Sequence, residues 1–319
     1  MDLVNSLEGR LLFAVPKKGR LNASALNLLQ GADIQFHRES RLDIALVKNL
    51  PIALIFLPAA DIPTFVGQGR VDLGITGWDQ IKEHEASVQA TALSRGEPAK
   101  GGGCDMVMDL GFGGCKLQVQ VPEKGVYVTG MDLIGKNIGT SFVHLAEEYF
   151  AKLEAEVDGT APDGTKRPLR TQILELSGSV EAACALGVAD GIVDLVESGA
   201  TMRAAGLKAI DTVVDSTAVL IRSRSPSNPE MVELIASRIR GVITAQKYVL
   251  CQYNIERSSL PEAVKITPGR RSPTVTTLDA EGWVAISCMV EKKKIAVVMD
   301  DLARVGATDI LVLDIHNSR

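Results

Sequence analysis

The first two hundred residues of this 319-residue chain contain short, nearly continuous aliphatic runs, and these runs constrain the fold more than any other feature. Residues 11–15, 53–57 and 71–76 each have the length of one strand, and the first two are apolar at every position. Strands of this kind are buried on both faces, as in parallel α/β sheets. Since aromatic residues make up only 4% of the chain, we expect a core of mainly aliphatic side chains.

Helix-forming segments separate these strands and complete a first α/β lobe. An apolar-periodic helix is predicted over residues 22–30, and a shorter helix follows Asp61. Asp61 is predicted to cap that second helix, with Pro63 in its first turn, where a missing N–H costs no hydrogen bond. This alternation of strand, helix and strand predicts a parallel sheet.

Polar residues follow the strands of this lobe. In open α/β sheets, ligands bind beyond the carboxyl ends of the strands. Lys18 and Arg20 follow the first strand, and Asp79 lies in a loop predicted at residues 77–79 after the third. We therefore expect Lys18, Arg20 and Asp79 near one edge of the sheet, although an ordinary surface salt bridge remains an alternative for Arg20.

A second segment repeats the pattern after the glycine-rich stretch 96–103, which predicts a hinge or crossover. Its predicted strands lie at 115–121, 136–140, 171–176 and 191–196, and its helices at 144–153 and 180–186. Residues 158–168 are typical of a polar surface loop. We predict lobe I at residues 1–103 with a returning segment 203–225, and lobe II at residues 104–202.

The last third of the chain, from residue 226 to residue 319, predicts a separate domain. It follows the linker 223–229 and opens with a helix of about ten residues starting near Glu230. The remaining predicted elements are a β-rich run at 242–254, a helix at 259–264, strands at 274–278 and 283–290, an amphipathic helix at 291–304 and a strand at 309–315. Their β-α-β-β-α-β order is ferredoxin-like and typical of a small-molecule sensor, with a dimerisation domain as the alternative.

Composition and charge exclude several function classes. The net charge is −5 and the longest basic run, Lys292–Lys294, is interpreted as a solvated helix start, so nucleic-acid binding is not expected. The chain has neither a secretory leader nor an apolar run of about twenty residues, which predicts a cytosolic protein without a membrane partner. The five cysteines and four histidines are scattered, so no zinc site is expected.

Residues 194–201 combine the features of a phosphate cradle. Gly199 lets the backbone approach a ligand, Ser198 and Thr201 carry hydroxyl groups, and a helix predicted to start near Thr201 offers its N–H groups. Asp194 and Glu197 would repel a phosphate, but they can accept hydrogen bonds from ribose hydroxyls. An ordinary strand–loop–helix capped by Ser198 remains the alternative.

The run from Glu181 to Met202 resembles the signature of the ATP phosphoribosyltransferases, the first enzymes of histidine synthesis. Acidic, glycine, β-branched, Ser-Gly and Thr positions all match at their spacings. Further segments resemble the same family at residues 19–21, 61–63, 71–75, 112–115, 177–181 and 267–274. The last of these resembles the C-terminal domain of the long form. The resemblance implies two lobes like those of periplasmic binding proteins and a ferredoxin-like regulatory domain.

The resemblance also implies a reaction. The N1 atom of the ATP adenine ring attacks the anomeric carbon of phosphoribosyl pyrophosphate, and pyrophosphate leaves. Since N1 carries a free lone pair, no nucleophilic side chain is needed. The protein aligns the reactants and stabilises the charges that develop. Mg²⁺ is implied as the bridge to the pyrophosphate oxygens.

By this resemblance, site residues fall into three groups. The phosphoribosyl pyrophosphate site comprises Asp194, Glu197, Ser198, Gly199, Ala200 and Thr201. The ATP site comprises Lys18, Gly19, Arg20 and Asp79. Transition-state support is expected from Lys18, Arg20, Glu181 and Asp194, and the metal ligands from Glu181 and Asp194.

The long form is inhibited by histidine bound to the C-terminal domain, and the resemblance implies the same here. The residues expected around that site are Asn254, Arg270, Thr274, Met289 and Asp309. Arg270 and Asp309 have the charges to pair with the carboxylate and amino group of an amino acid. The resemblance further implies a homo-oligomer, with dimers that assemble into hexamers.

Three other functions are compatible with parts of the sequence. A two-lobed small-molecule-binding or regulatory protein without catalysis would share the fold, since fold does not determine function. A nicotinamide dehydrogenase is suggested by residues 111–114, but a strand rather than a helix is predicted after them, so the dinucleotide-binding context fails. An inactive regulatory paralogue would not need the intact acidic and phosphate-loop residues.

Overall fold

The computed structural model describes residues 6–38, 42–98, 103–159 and 168–319. The chain forms two compact units. Unit 1 comprises the residues up to Ala25 together with Phe36–Val232, and unit 2 comprises Leu26–Gln35 together with Glu233–Arg319. No helix among the described residues has the length and apolar character that crossing a membrane requires.

Unit 1 contains a six-stranded sheet. Its strands are β1 (Leu11–Pro16), β2 (Ile44–Leu46), β3 (Ile52–Leu57), β4 (Leu73–Gly77), β5 (Cys104–Asp109) and β11 (Ala218–Ser223), in the order β2-β3-β1-β4-β11-β5. β1 pairs in parallel with both β3 and β4, which confirms the predicted parallel core. β2, β11 and β5 join antiparallel, so the complete sheet is mixed.

The helices that alternate with these strands along the chain are α1 (Arg20–Gly31), whose residues from Leu26 onward belong to unit 2, α2 (Ile62–Gly67) and α3 (Trp78–Ser94). Two predictions about them were wrong. Asp61 precedes α2 but makes no side-chain capping bond. Residues 77–79 do not form a loop, because Gly77 ends β4 and α3 begins at Trp78. The backbone N–H of Asp79, in the first turn of α3, donates to the Ser216 hydroxyl at 3.0 Å, so this N–H has a hydrogen-bond partner although the helix offers none.

A five-stranded sheet forms the second lobe of unit 1. Its strands are β6 (Cys115–Pro122), β7 (Asn137–Thr140), β8 (Gln172–Glu175), β9 (Gly191–Val196) and β10 (Leu207–Ser216), in the order β10-β6-β9-β7-β8. Its helices are α4 (Val143–Asp158), α5 (Ala182–Ala185) and α6 (Ala200–Ala204). Only a single turn of the helix predicted at 180–186 forms. Most of the loop predicted at 158–168 lies outside the described residues.

The chain crosses between the two sheets twice, at residues 110–114 and at Thr217. The crossings lie side by side, since the N–H of Leu110 donates to the carbonyl of Ala218 at 2.9 Å. The Thr217 hydroxyl adds a bond to Asp109 Oδ2 at 2.8 Å. Because β5 belongs to the first sheet and β10 to the second, both crossings fall later in the chain than the predicted lobe boundaries at 103 and 202.

Two glutamates fasten α4 to its surroundings. Glu83 of α3 accepts hydrogen bonds from the backbone N–H groups of His144 and Leu145, each at 2.9 Å, and so caps the N-terminus of α4. Near the other end of the helix, buried Glu154 accepts bonds from the backbone N–H of Thr171 at 2.9 Å and from its hydroxyl at 2.7 Å. These bonds hold α4 both to the first sheet's helix and to the start of β8.

The ferredoxin-like prediction is confirmed by the elements that follow α7 (Pro229–Lys247). They are β12 (Tyr248–Glu256), α8 (Leu260–Ile266), β13 (Thr274–Thr277), β14 (Trp283–Glu291), α9 (Ile295–Arg304) and β15 (Thr308–Asp314). The antiparallel sheet has the order β13-β14-β12-β15. The first strand of the module therefore lies between its third and fourth, as this fold requires.

The boundary of α7 differs from its prediction. The helix has 19 residues instead of about ten, and the β-rich run starts at Tyr248 instead of Val242. Ile235, Ile239 and Val242 are all buried at helical spacing, so the apolar face continues through the segment that looked β-rich. Aliphatic composition alone could not distinguish the end of this helix from the start of β12.

Candidate functional site

The loop after β9 has the backbone form of a ligand cradle. Gly199 adopts a φ of 71°, in the left-handed region that glycine tolerates best. α6 starts at Ala200 directly afterwards, and Gly199 is its N-cap without any side-chain capping bond. Ser198 Oγ accepts only a long bond of 3.4 Å from the Ala200 N–H. The alternative of an ordinary helix capped by Ser198 is therefore not what the structure shows.

Arg203 folds back over this loop from the last turn of α6. Its Nη2 donates to the backbone carbonyl of Ser198 at 3.1 Å. A Cβ added to Gly199 would lie 2.7 Å from Arg203 Nη1. The positive φ is therefore what favours glycine at position 199, since the flexible end of Arg203 could shift away from an added Cβ.

A cavity of about 740 Å³ opens beside the loop in unit 1. Its lining includes Lys116, Glu197, Ser198, Gly199, Arg203 and Asp215. Lys116 and Asp215 form a salt bridge at 3.1 Å. Three of the residues predicted for the phosphoribosyl pyrophosphate site, Glu197, Ser198 and Gly199, thus face one cavity of the size of a small-molecule site. Ala200 and Thr201 lie next to them in α6 but outside the lining.

Asp194 lies next to this cavity on β9. Because side chains alternate along a strand, Asp194 shares a face with Val196, which lines the cavity. One carboxylate oxygen of Asp194 accepts the Leu195 N–H at 2.8 Å, and the other has no partner among the described residues. Burial and, to a smaller extent, the nearby charge of Glu181 raise the pKa of Asp194. Glu181, the other residue predicted as a metal ligand, is therefore near enough for its charge to act on Asp194.

Arg20 and Asp79 are also brought together. Arg20 Nη2 lies 3.4 Å from Asp79 Oδ1, and Arg20 Nη1 donates to the carbonyl of Gly113. The Ser216 hydroxyl donates to Asp79 Oδ1, and Gln80 Nε2 donates to Asp79 Oδ2 at 2.8 Å. Asp79 is fully buried, and both of its carboxylate oxygens have partners. Since Gly113 and Ser216 lie at the two crossings, this network links Arg20 to both connections between the lobes.

Lys18 and Gly19 form the exposed turn between β1 and α1. Gly19 has a φ of 84°, and a Cβ there would meet no atom within 4 Å. Lys18 makes no ion pair with any described residue, whereas the adjacent Lys17 pairs with Asp43 at 2.9 Å. Neither Lys18 nor Arg20 lines the cavity beside residues 197–199.

Several cavity residues escaped the sequence reasoning. Lys116, Arg203, Ser216 and Thr217 carry no motif of their own. Arg203 follows the phosphate loop in α6, Lys116 reaches it through the pairing of β6 with β9, and Ser216 and Thr217 lie at the second crossing. Cys115 also lines the cavity, but burial raises the pKa of its thiol, so the sulfur stays protonated and is a weak nucleophile.

Within the described ranges no cluster of three or more His, Cys, Asp or Glu side chains has the geometry to hold a metal ion.

The predicted effector residues occupy the sheet of unit 2. Asn254 and Met289 belong to the face of β12 and β14 opposite the buried core residues, and Thr274 pairs with Ser287 on that side. Asn254 Nδ2 donates to Asp309 Oδ2 at 2.9 Å. The guanidinium of Arg270 lies 5.6 Å from the ring centroid of Tyr248, which shares the face of β12 that carries Asn254.

Comparison with known proteins gives the family. The family model for ATP phosphoribosyltransferase matches residues 58–241, and the model for the C-terminal domain of that family matches residues 245–317. The chain belongs to the ATP phosphoribosyltransferase family. An ATP phosphoribosyltransferase from Yarrowia lipolytica is 59% identical over 319 residues, covering 100% of both chains. Those from Schizosaccharomyces pombe and Saccharomyces cerevisiae are 58% and 55% identical, again over 100% of both chains.

A solved structure agrees on the fold of the ATP phosphoribosyltransferase family. The ATP phosphoribosyl transferase (HisG:HisZ) complex from Thermotoga maritima superposes with a TM-score of 0.54 at 22% identity. The match covers 72% of this chain and 96% of that chain.

Family membership confirms the resemblance seen in the sequence. The chain is a long-form member, since the C-terminal domain is present. It is an enzyme, a glycosyltransferase of the pentosyl class, and belongs to histidine biosynthesis. This assignment favours the enzyme over the binding-protein and dehydrogenase alternatives.

Proposed function

We propose that this chain condenses ATP with phosphoribosyl pyrophosphate through the adenine N1 atom, giving N1-(5-phosphoribosyl)-ATP and pyrophosphate. This is the first committed step of L-histidine biosynthesis. The observation that carries the proposal is the cavity of about 740 Å³ lined by Glu197, Ser198 and Gly199. A loop with positive φ at Gly199 and hydroxyl and acidic neighbours suits a ribose 5-phosphate better than an apolar ligand.

The protein's part in this reaction is to bind and orient. Ser198 to Thr201 would receive the 5-phosphate, and Glu197 and Asp194 the ribose hydroxyls. The unpartnered oxygen of Asp194 supports this role, because it is available to accept a hydroxyl hydrogen bond. A protonated Cys115 in the lining agrees with a mechanism whose attacking lone pair comes with the ATP.

The proposed ATP site lies at the carboxyl ends of the strands of the first sheet and comprises Lys18, Gly19, Arg20 and Asp79. Lys18 is exposed and has no ion-pair partner among the described residues, so its charge is available to a polyphosphate. Asp79 is buried and holds Arg20, so we assign it an indirect part through that guanidinium. Charge at this edge would stabilise the pyrophosphate as it leaves.

Glu181 and Asp194 fit a divalent cation. Mg²⁺ is commonly held by one or two carboxylates together with substrate phosphates, and the charge of Glu181 is near enough to Asp194 to raise the pKa of that carboxyl. When bound, Mg²⁺ would neutralise pyrophosphate charge. The repulsion between the carboxylates would fall on binding, so Asp194 would stay ionised over a wider pH range.

Histidine is proposed to inhibit through unit 2. The support is the exposed sheet face that brings Asn254, Thr274 and Met289 to one side, with Asp309 bonded to Asn254. An effector there would act by favouring one quaternary arrangement, which makes a homo-oligomer, a dimer or hexamer, part of the proposal. The biosynthetic role of the family favours a cytosolic setting.

The reaction is tested by mixing the purified chain with ATP, Mg²⁺ and phosphoribosyl pyrophosphate. We expect a product absorbing near the adenine band, formed in step with pyrophosphate release. Asp194→Asn should reduce turnover at least tenfold, since a ribose contact and a cation ligand are lost together. The matched control is Asp300→Asn, an exposed carboxylate in α9. Absence of product at all substrate ratios would refute the proposal.

Histidine inhibition is tested on the same assay with Arg270→Ala. We expect inhibition of the unaltered chain and a weaker response in the variant, because the cation for the effector carboxylate is removed. Arg271→Ala, the neighbouring exposed arginine, is the control and should respond as the unaltered chain does. Equal inhibition of all three proteins would remove Arg270 from the effector site.

A further inference from the structure

We propose that Arg203 is a phosphate-binding residue of this enzyme and supplies the positive charge for the 5-phosphate of phosphoribosyl pyrophosphate. The assignment rests on the proposed function and adds a residue that lies beyond the loop Glu197–Thr201. It starts from the charge that a phosphate monoester brings into the cavity, which is close to −2 at neutral pH. Some group near the loop has to balance this charge.

Helix α6 is too short to provide that balance. It has five residues, Ala200–Ala204, so few peptide dipoles align behind its N-terminal N–H groups. Ser198 and Thr201 offer only neutral hydroxyl groups, and Glu197 adds a negative charge at the cavity wall. A formal cation is therefore needed close to Ser198 and Gly199.

The cavity lining contains two cations, Lys116 and Arg203. Lys116 is already paired with Asp215 at 3.1 Å, and both members of that pair line the cavity. Arg203 forms no ion pair with any carboxylate in the described part of the chain, and its one hydrogen bond is to a neutral carbonyl. Its charge is consequently the one that an incoming anion would meet uncompensated.

The position of Arg203 also suits this role. Nη2 is held by the Ser198 carbonyl at 3.1 Å, and Nη1 lies over the bare Cα of Gly199. The guanidinium is thus anchored at one nitrogen, while its other N–H groups stay free beside the loop backbone. A planar guanidinium fixed in this way can bind a phosphate through two parallel N–H bonds, which lysine cannot do.

The test compares Arg203→Ala, Arg203→Gln and Arg203→Lys in the full chain. The control is Arg70→Ala, which removes an exposed arginine outside the cavity lining. Affinity for ribose 5-phosphate and for inorganic pyrophosphate is measured by calorimetry, and KM and kcat by steady-state assay. Gln can still donate to the Ser198 carbonyl but carries no charge, so it separates support of the loop from binding of phosphate.

We expect Arg203→Ala and Arg203→Gln to lower the affinity for ribose 5-phosphate about 10- to 100-fold, because this is the usual effect of losing a charge-assisted hydrogen-bonded pair. Arg203→Lys should recover part of the affinity. The KM for phosphoribosyl pyrophosphate should rise accordingly, while the KM for ATP and the affinity for pyrophosphate change less than threefold. The binding of ribose 5-phosphate should also depend less on salt in the Gln variant.

Three results would overturn the assignment. The first is ribose 5-phosphate affinity, or KM for phosphoribosyl pyrophosphate, within twofold of the unaltered chain in Arg203→Ala. The second is full affinity in Arg203→Gln, which would reduce Arg203 to a support for Ser198. The third is an equal loss of pyrophosphate binding. A chain without turnover that still binds ribose 5-phosphate through Arg203 would refute the proposed reaction and leave this site standing.

Discussion

Replacement of Asp79 by alanine should destabilise unit 1 through the loss of one buried carboxylate. Asp79 is 0% exposed and accepts bonds from the Ser216 hydroxyl and from Gln80 Nε2 at 2.8 Å, besides its pair with Arg20 at 3.4 Å. These partners come from α1, from α3 and from the second crossing between the lobes. The variant therefore tests whether a single side chain ties these segments together.

The expected loss follows from the exposure of each partner. Ser216 is buried, so the loss of its bond to a charged acceptor costs about 2 kcal/mol. Gln80 is partly exposed and can bond to water instead. The Arg20 side chain is 23% exposed and still donates to the Gly113 carbonyl in the variant, so the loss of its ion pair with Asp79 costs only about 1 kcal/mol. The free energy of unfolding of unit 1 should fall by about 3 kcal/mol, equivalent to a Tm lower by roughly 6–12 °C.

The two tryptophans permit a measurement on unit 1 alone. In a Trp283→Phe background, urea unfolding followed by fluorescence reports only on Trp78 at the start of α3. Asp79→Asn is the matched control, because its carbonyl oxygen can still accept the Ser216 hydroxyl, and it should lose only about 1 kcal/mol. A loss below 1 kcal/mol for alanine, or equal losses for alanine and asparagine, would refute this reasoning.

Three further predictions concern single side chains. Burial alone would raise the pKa of Glu154, but the backbone and hydroxyl bonds from Arg170 and Thr171 lower it. Glu154→Gln should therefore cost about 2 kcal/mol above the ordinary glutamate pKa of about 4.3 and nothing once acid protonates the native carboxylate, as pH-dependent urea midpoints would show. Glu83→Ala should leave the first N–H groups of α4 uncapped and cost about 1 kcal/mol by the same assay, whereas Glu83→Gln should cost less. Tyr253→Phe should destabilise the ferredoxin-like module by about 1 kcal/mol in calorimetry, because the buried hydroxyl bonded to Thr267 at 2.7 Å is lost.

The sheets could be predicted because their signal is local. A strand such as β9 is an aliphatic run of the right length, and its prediction at 191–196 matches the structure. The helix α3 was missed for an equally local reason. Its residues Trp78–Ser94 include only Asp79, Ile81 and Ala86 as buried positions, so the apolar periodicity that marks most helices is weak there.

Parts of the candidate site depend on long-range pairing and could not be predicted. Lys116 reaches the phosphate loop because β6 pairs with β9, with Lys116 opposite Val196. Ser216 reaches Asp79 because β10 ends at the second crossing. No residue spacing within either segment encodes these contacts, since the partners are 80 and 137 residues apart along the chain.

Asp79 and Asp194 show why sequence patterns predict a position but not a role. The strand-edge rule placed Asp79 next to a ligand, and the phosphate-cradle pattern with the family resemblance placed Asp194 there. In the structure both oxygens of Asp79 are bonded within the protein, whereas one oxygen of Asp194 has no described partner, and burial and the charge of Glu181 raise the pKa of Asp194. A carboxylate whose two oxygens both accept hydrogen bonds within the protein stabilises the segments that donate them. A carboxylate with an unbonded oxygen and a nearby negative charge is stabilised most when a ligand binds to it. Substitution of Asp194 should therefore affect substrate binding more than stability, and substitution of Asp79 the reverse.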